Sequence, residues 1–516
     1  MEYEKKENAL NQIILTGQII DTLDMESINR KTHEMDFTLI TKIEEHLSNI
    51  QTDMLSNDEE ILYLYTVANY DSVLFRIADQ DFDTVKCYSN KLQRYNTFEQ
   101  GYHKSYFERV DYLRKALALH SEKSKVSTVY MAQVSINLAN IYYEMGRVIE
   151  SIEVLSETNK SISMFPMALG NLAIKHHTLA ECCTDENVKR YLLEQALIGL
   201  DVIFKSEKNK EYIDEDQEKV FSNWGVYIKG ILDQYLGDIK PWDNGYDVND
   251  IYKNWCSKKQ LSLNYINVIC KQGNVDNLHI PNMGIGYFQE DQKMTYYSWF
   301  NTIKQEYNLS RYFLYQEDTI TYEGSFHESQ GYNLLINTLD YPALGYKTEL
   351  IKSALKTAYG VLDKIGLFCS HFFKVKAQPS KIDFNKWYKD VEMQIALESP
   401  FKALYWLSQD FDMNNGYLKK IRRIRNVIEH RYVRVLEFYD IPISQELDDK
   451  EKCEYNIQYE DLRLVAYETL KLTRSAIFYM VNGFNKLYNG TVNTELEQVK
   501  VFLPLILDVY DDEWKN

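Results

Sequence analysis

Tyr417-Leu-Lys-Lys-Ile-Arg-Arg-Ile-Arg-Asn-Val-Ile-Glu-His-Arg-Tyr-Val-Arg-Val435 holds seven Lys or Arg residues and a single acid, Glu429, in a chain of net charge −18. Tyr417, Ile421, Ile424, Ile428, Tyr432, Val435 and Tyr439 recur at spacings of three and four. That period predicts one long amphipathic helix with a buried stripe along those positions. On the helical projection Asn426 and His430 fall roughly opposite the stripe, with Arg422, Arg423 and Arg434 around them. Arg425 lies nearer the edge of the stripe, one turn before Glu429.

Such a face suits a phosphodiester. Arg offers a planar fork of donors that is always charged. His exchanges protons near neutral pH. Asn donates, accepts, or fixes an imidazole tautomer. An ordinary solvated helix with an Arg425–Glu429 pair explains the same residues without chemistry. Spacing alone does not separate the two readings, because Arg, five residues, His also occurs at Arg114 and His120 in a plain helical setting.

Composition bounds the rest. The length suggests two to four domains. Forty-one Tyr, eight Pro with none before Pro166, and 20 Gly point to a mostly helical, all-α protein. The acidic balance argues against a surface coated in nucleic acid but leaves room for a local basic cleft. Seven scattered Cys without a Cys-x-x-Cys fit free thiols in a reducing, cytoplasmic setting, with no zinc site. The charged start, Met1-Glu-Tyr-Glu-Lys-Lys-Glu7, lacks an apolar signal core, and no apolar run reaches membrane-spanning length. No membrane contact, metal or cofactor is therefore expected. No phosphate-binding glycine loop, His-Glu-x-x-His or Gly-x-Ser-x-Gly motif occurs.

Working outward, Ser56-Asn-Asp-Glu-Glu60 offers an N-cap and first-turn acids ahead of Ile61. Asn137-Leu138-Ala139 recurs as Asn171-Leu172-Ala173, an offset of 34 residues. Gly146 marks a turn after the first copy, and Ser151 is the small residue of the next helix. His176 and the Cys182-Cys183 stretch depart from the pattern in the second copy. Gly and Pro cluster at 225–290, with a turn signal at Asp243-Asn244-Gly245. The expected domains are 1–225 helical repeats, 226–290 an irregular connecting module, and 291–516 a helical bundle. His327 is a weak site candidate, more simply structural. Residues 437–458 read as an acidic loop that either stays solvated or shields the basic helix.

Two family resemblances attach to these stretches. The 34-residue offset resembles a degenerate tetratricopeptide repeat, which implies a helical solenoid that either binds a peptide or protein trigger or serves as a structural spacer. Arg425-Asn426-Val427-Ile428-Glu429-His430 resembles the HEPN signature of Arg, four to six residues with a polar one first, then His. Leu355 to Cys369 resembles the first long helix of a HEPN bundle, and Leu470 to Met480 its last. Phe300 to Tyr315 resembles the lead-in of a bacterial HEPN branch with N-terminal tetratricopeptide repeats. The resemblance covers most of residues 290–490. It implies a metal-independent endoribonuclease acting as a homodimer, with Arg425, His430 and Asn426 catalytic and Arg422, Arg423 and Arg434 on the RNA backbone. It also implies a regulated toxin or antiphage defence effector. The alternative is a non-catalytic peptide-binding or partner-binding protein whose bundle only dimerises or binds nucleotide.

Overall fold

A computed structural model describes residues 2–28, 36–205, 212–235, 250–273, 275–280, 290–321, 327–331, 334–336, 339, 342–376, 378–388, 400–412, 416–437 and 454–496. Among the described residues the chain is helical apart from one small sheet, and it divides into two compact units. The first is Met1–Lys175 with Gln195–Ile231, and the second is His176–Glu194 with Leu232–Asn516. Among the described residues no helix is long and apolar enough to cross a membrane.

The first unit holds α1 (Glu2–Ile28), α2 (Thr38–Ser48), α3 (Asn57–Ala78), α4 (Phe82–Tyr88), α5 (Phe98–Leu119), α6 (Thr128–Glu144) and α7 (Val148–Ser161). It also takes the start of α8 (Pro166–Glu181), the end of α9 (Glu186–Phe204) and nearly all of α10 (Glu215–Leu232). Ser56 caps α3 as its residues promise: its hydroxyl accepts the Glu59 N–H, and Glu59 accepts the Ser56 N–H at 2.8 Å. Leu74, Phe75 and Ile77 of α3 bury against Leu23, Ile40, Ile43 and Leu92.

Gly146, at φ +77°, turns the chain between α6 and α7. Ser151 is fully buried there and donates to the Ala139 carbonyl at 2.7 Å, which lets the two helices approach closely. The two Asn-Leu-Ala copies both lie in helices but differ in bonding. Asn137 reaches α3, donating to Asn69 at 2.8 Å, whereas Asn171 donates to Met167 of its own helix. Arg114 donates to the Tyr142 hydroxyl at 2.6 Å, so its spacing to His120 serves packing.

The second unit is built on three long helices, α13 (Glu290–Thr319), α14 (Tyr346–Phe372) and α17 (Tyr459–Leu496). Against them pack α11 (Ile251–Lys258), α12 (Tyr265–Ile269), α15 (Lys402–Gln409) and α16 (Lys419–His430). Ile303, Tyr307 and Leu314 of α13, Leu355, Leu362 and Phe368 of α14, and Leu470, Ile477 and Phe484 of α17 are all fully buried.

The irregular stretch at 250–280 is held by polar groups from the bundle. Arg311 of α13 grips Asp276 through two hydrogen bonds of 2.7 and 3.0 Å. Tyr307 donates to the Leu261 carbonyl, and Arg474 of α17 to that of Ser262. Buried Asn267 satisfies the backbone of its own loop, donating to the Ser257 and Gln272 carbonyls and accepting from the Ser262 N–H. Within the Gly- and Pro-rich stretch, 236–249 and 281–289 lie outside the described residues, Trp242 and the 243–245 turn signal with them.

The helix expected to run to Val435 stops at His430. Arg431 is extended, and Tyr432–Leu436 forms β1, parallel to β2 (Glu454–Gln458) with Tyr432 facing Glu454 and Leu436 facing Gln458. The Ala343 N–H bonds the Val435 carbonyl at 2.7 Å, so β1 also has a backbone partner on its other side. The last five residues of the expected acidic loop are thus a strand; 438–453 lie outside the described residues.

Candidate active site

α16 forms because Ile421, Ile424 and Val427 bury one face against the bundle, chiefly α14. Gly416 sets its entry. A Cβ there would lie 2.4 Å from the Asp410 carbonyl oxygen, and Leu418 bonds that same oxygen at 2.6 Å. Ile428 is half-buried, but Tyr417 and Tyr432 are 49% and 58% exposed. The buried stripe is therefore shorter than its sequence period, and both tyrosines leave it.

Arg425 turns toward α14. Its guanidinium lies over the Tyr359 ring, 5.2 Å from the centroid, and its Nη2 is 3.6 Å from Asp363 Oδ2. Its Nη1 donates to Asn426 Oδ1 at 3.1 Å. Asp363 Oδ1 accepts the Phe384 N–H at 3.2 Å, tying α14 to the turn at 383–388. Within that turn Asp383 accepts Arg422 at 3.0 Å and Lys386 at 2.9 Å. Gly366 permits this approach, since a Cβ there would lie 3.0 Å from the Phe384 Cα.

Burial pushes the Asp363 carboxyl above its ordinary value; the Phe384 N–H and the Arg425 charge only partly offset that, and neighbouring Asp383 adds to it. Burial likewise raises the Tyr359 hydroxyl, with the Asp363 charge adding to it.

His430 is exposed at the last residue of α16. Arg425 lies five positions earlier, which is roughly 140° around the axis and about 7.5 Å along it. The two do not share a face. Asn426 accepts from Arg425 and precedes His430 by one turn of the helix.

Arg423 is half-buried on α16. Arg434 is not on the helix at all; it lies in β1 and pairs with Glu454 of β2. His327 stacks on Tyr346 at 3.8 Å and its ring accepts the Ser329 N–H, a structural role.

Sequence reading misses Asp363, Tyr359 and Asp383. One signal was present. Asp363 is the lone acid in the apolar run from Thr357 to Ser370, and Tyr359 stands one turn before it.

The family model described as LA2681-like HEPN matches residues 287–485. No curated protein and no solved structure gives a significant match. No family model supports tetratricopeptide repeats in the N-terminal part. The matched span takes in α13, α14, α15, α16, both strands and most of α17, with Arg425, Asn426 and His430 inside it. Residues 287–485 are thus a HEPN-family domain, similar to the LA2681-like group.

Proposed function

We propose that this protein is an endoribonuclease that needs no metal, with its reaction centred on the exposed end of α16. The observation that carries the reading is the Arg425–Asn426 hydrogen bond one turn below exposed His430, inside a HEPN-family domain. Arg425 binds the scissile phosphate and stabilises its developing charge. His430 moves the proton of the ribose 2′-hydroxyl or of the leaving oxygen. The 2′-oxygen bonds to phosphorus, the bond to the 5′-oxygen breaks, and that oxygen leaves with a proton. The products are a 2′,3′-cyclic phosphate and a 5′-hydroxyl. Asn426 acts through Arg425, its hydrogen-bond partner. Arg422 and Arg423 follow the RNA backbone.

The active form is a homodimer that pairs two α16 helices across one cleft. The N-terminal helices form a tetratricopeptide-like solenoid that receives a protein or peptide trigger. The biological role is that of a regulated toxin or antiphage defence effector in the cytoplasm.

The test is cleavage of RNA by the purified chain in EDTA, with product ends analysed. Cutting that yields cyclic-phosphate ends and disappears in both His430→Ala and Arg425→Ala is the expected result. Cutting that persists in both variants removes the reading.

A second reading has one observation in its favour. Arg422 and Arg425 already face Asp383 and Asp363, as they would in a bundle that binds a partner or nucleotide without catalysis. That reading predicts no cleavage by any form and a dimer unaffected by His430→Ala.

A further inference from the structure

We propose that Asp363 is a positioning residue of this site: its carboxylate fixes the direction of the Arg425 guanidinium on the Tyr359 ring. The proposal rests on the ribonuclease reading and deepens it.

Three contacts define the Arg425 guanidinium. The Tyr359 ring supports its plane, Asn426 accepts from Nη1, and Asp363 faces Nη2 at 3.6 Å. Among the described residues only one of its hydrogen bonds is made, that to Asn426. Arg carries five N–H donors, so this leaves donors for a phosphate. Asp363 therefore does not saturate Arg425. It orients by charge, at a separation longer than a hydrogen bond.

The carboxylate is itself held. Its Oδ1 accepts the Phe384 N–H, and the turn at 383–388 is kept in place by Asp383 with Arg422 and by the close fit at Gly366. A fixed carboxylate beneath a flexible side chain is what a reaction needs when its charge stabiliser must be in place beforehand. Burial also raises the Asp363 carboxyl above its ordinary value, a perturbation of the kind found at functional sites.

A purely structural role is the competing explanation. On that account Asp363 serves only to tie α14 to the Phe384 backbone. Asp363→Asn separates the two, because its amide oxygen still accepts the Phe384 N–H while the charge facing Arg425 is gone. The measurement is RNA cleavage by the full chain, with kcat and KM determined separately, on wild type, Arg425→Ala, Asp363→Asn and Asp363→Glu.

The expected result for Asp363→Asn is a fall in kcat of about 100-fold, the scale of a misplaced catalytic group, with a much smaller rise in KM. Asp363→Glu, which restores the charge, recovers part of it. Cleavage that depends on Arg425 but keeps its wild-type kcat in Asp363→Asn overturns this proposal alone. Absence of cleavage in wild type, or cleavage indifferent to Arg425→Ala, overturns the ribonuclease reading and this proposal with it.

Discussion

Arg425, Asn426 and His430 are legible in one stretch because a helix sorts its own residues by period. Asp363, Tyr359 and Asp383 are not, because their meaning comes from other elements folded against that helix. The consequence at this scale is a dependence on pH. Burial, with Asp383 adding to it, raises the Asp363 carboxyl against the opposing pull of the Phe384 N–H, Arg425 and Arg422. The folded protein therefore keeps this proton to a higher pH than the unfolded chain does. The stability associated with the group is full below the unfolded carboxyl value and is lost as pH rises through the raised one. Asp363→Asn abolishes that loss. Its thermal midpoint at pH 7 is expected to equal or exceed that of wild type, and any advantage shrinks as pH falls toward about 4, where an ordinary Asp protonates. Thermal scans across that interval test it. A midpoint below wild type at pH 7 contradicts it.

At the scale of elements, local signals succeed where the cause is local. The Ser56–Glu59 capping box, the Gly146 turn and the Ser151 contact are each settled within a few residues or one hairpin. β1 is the opposite case. Tyr432 and Val435 fit a helical stripe as well as a strand, and β-branched Val433 and Val435 favour the strand. What decides is backbone pairing with Glu454–Gln458 and Ala343, which no period in 417–435 encodes. The join between α14 and the 383–388 turn is likewise invisible until folded, and it yields a prediction. At Gly366 an added methyl meets backbone atoms of Asp383 and Phe384 at 3.0 to 3.2 Å, and backbone does not swing aside as a side-chain tip does. Gly366→Ala is expected to destabilise by about 1–3 kcal/mol, the range for overpacking, and to weaken cleavage by shifting the Phe384 N–H from Asp363. Chemical denaturation measures the first effect. Wild-type stability in the variant means the turn moves freely and does not anchor the site.

At the scale of the whole molecule, charge decides how the RNA of the proposed reading would be met. A net charge of −18 disfavours contact with a polyanion over most of the chain, and the basic helix α16 is the surface that the proposed reading gives to RNA. Two of that helix's arginines already face carboxylates, Arg422 with Asp383 and Arg425 with Asp363, which limits the number of phosphates held at once. Binding of a single strand releases counterions in proportion to phosphates neutralised, with a slope of about −0.7 per phosphate in log K against log salt. Contacts from Arg422, Arg423 and Arg425 of one protomer give an expected slope of about −2 for a single-stranded RNA, and about −4 where both helices of the proposed dimer touch the strand. The measurement is made with His430→Ala, so that the strand stays whole. Adding Arg422→Ala is expected to reduce the slope by about 0.7 for each protomer in contact with the strand. Arg434→Ala is expected to leave it unchanged, because Arg434 lies in β1 against Glu454 and not on the helix. A slope several times steeper means that RNA runs over a second basic surface, and a slope lowered equally by Arg434→Ala means that the strand pair, not α16 alone, lines its path.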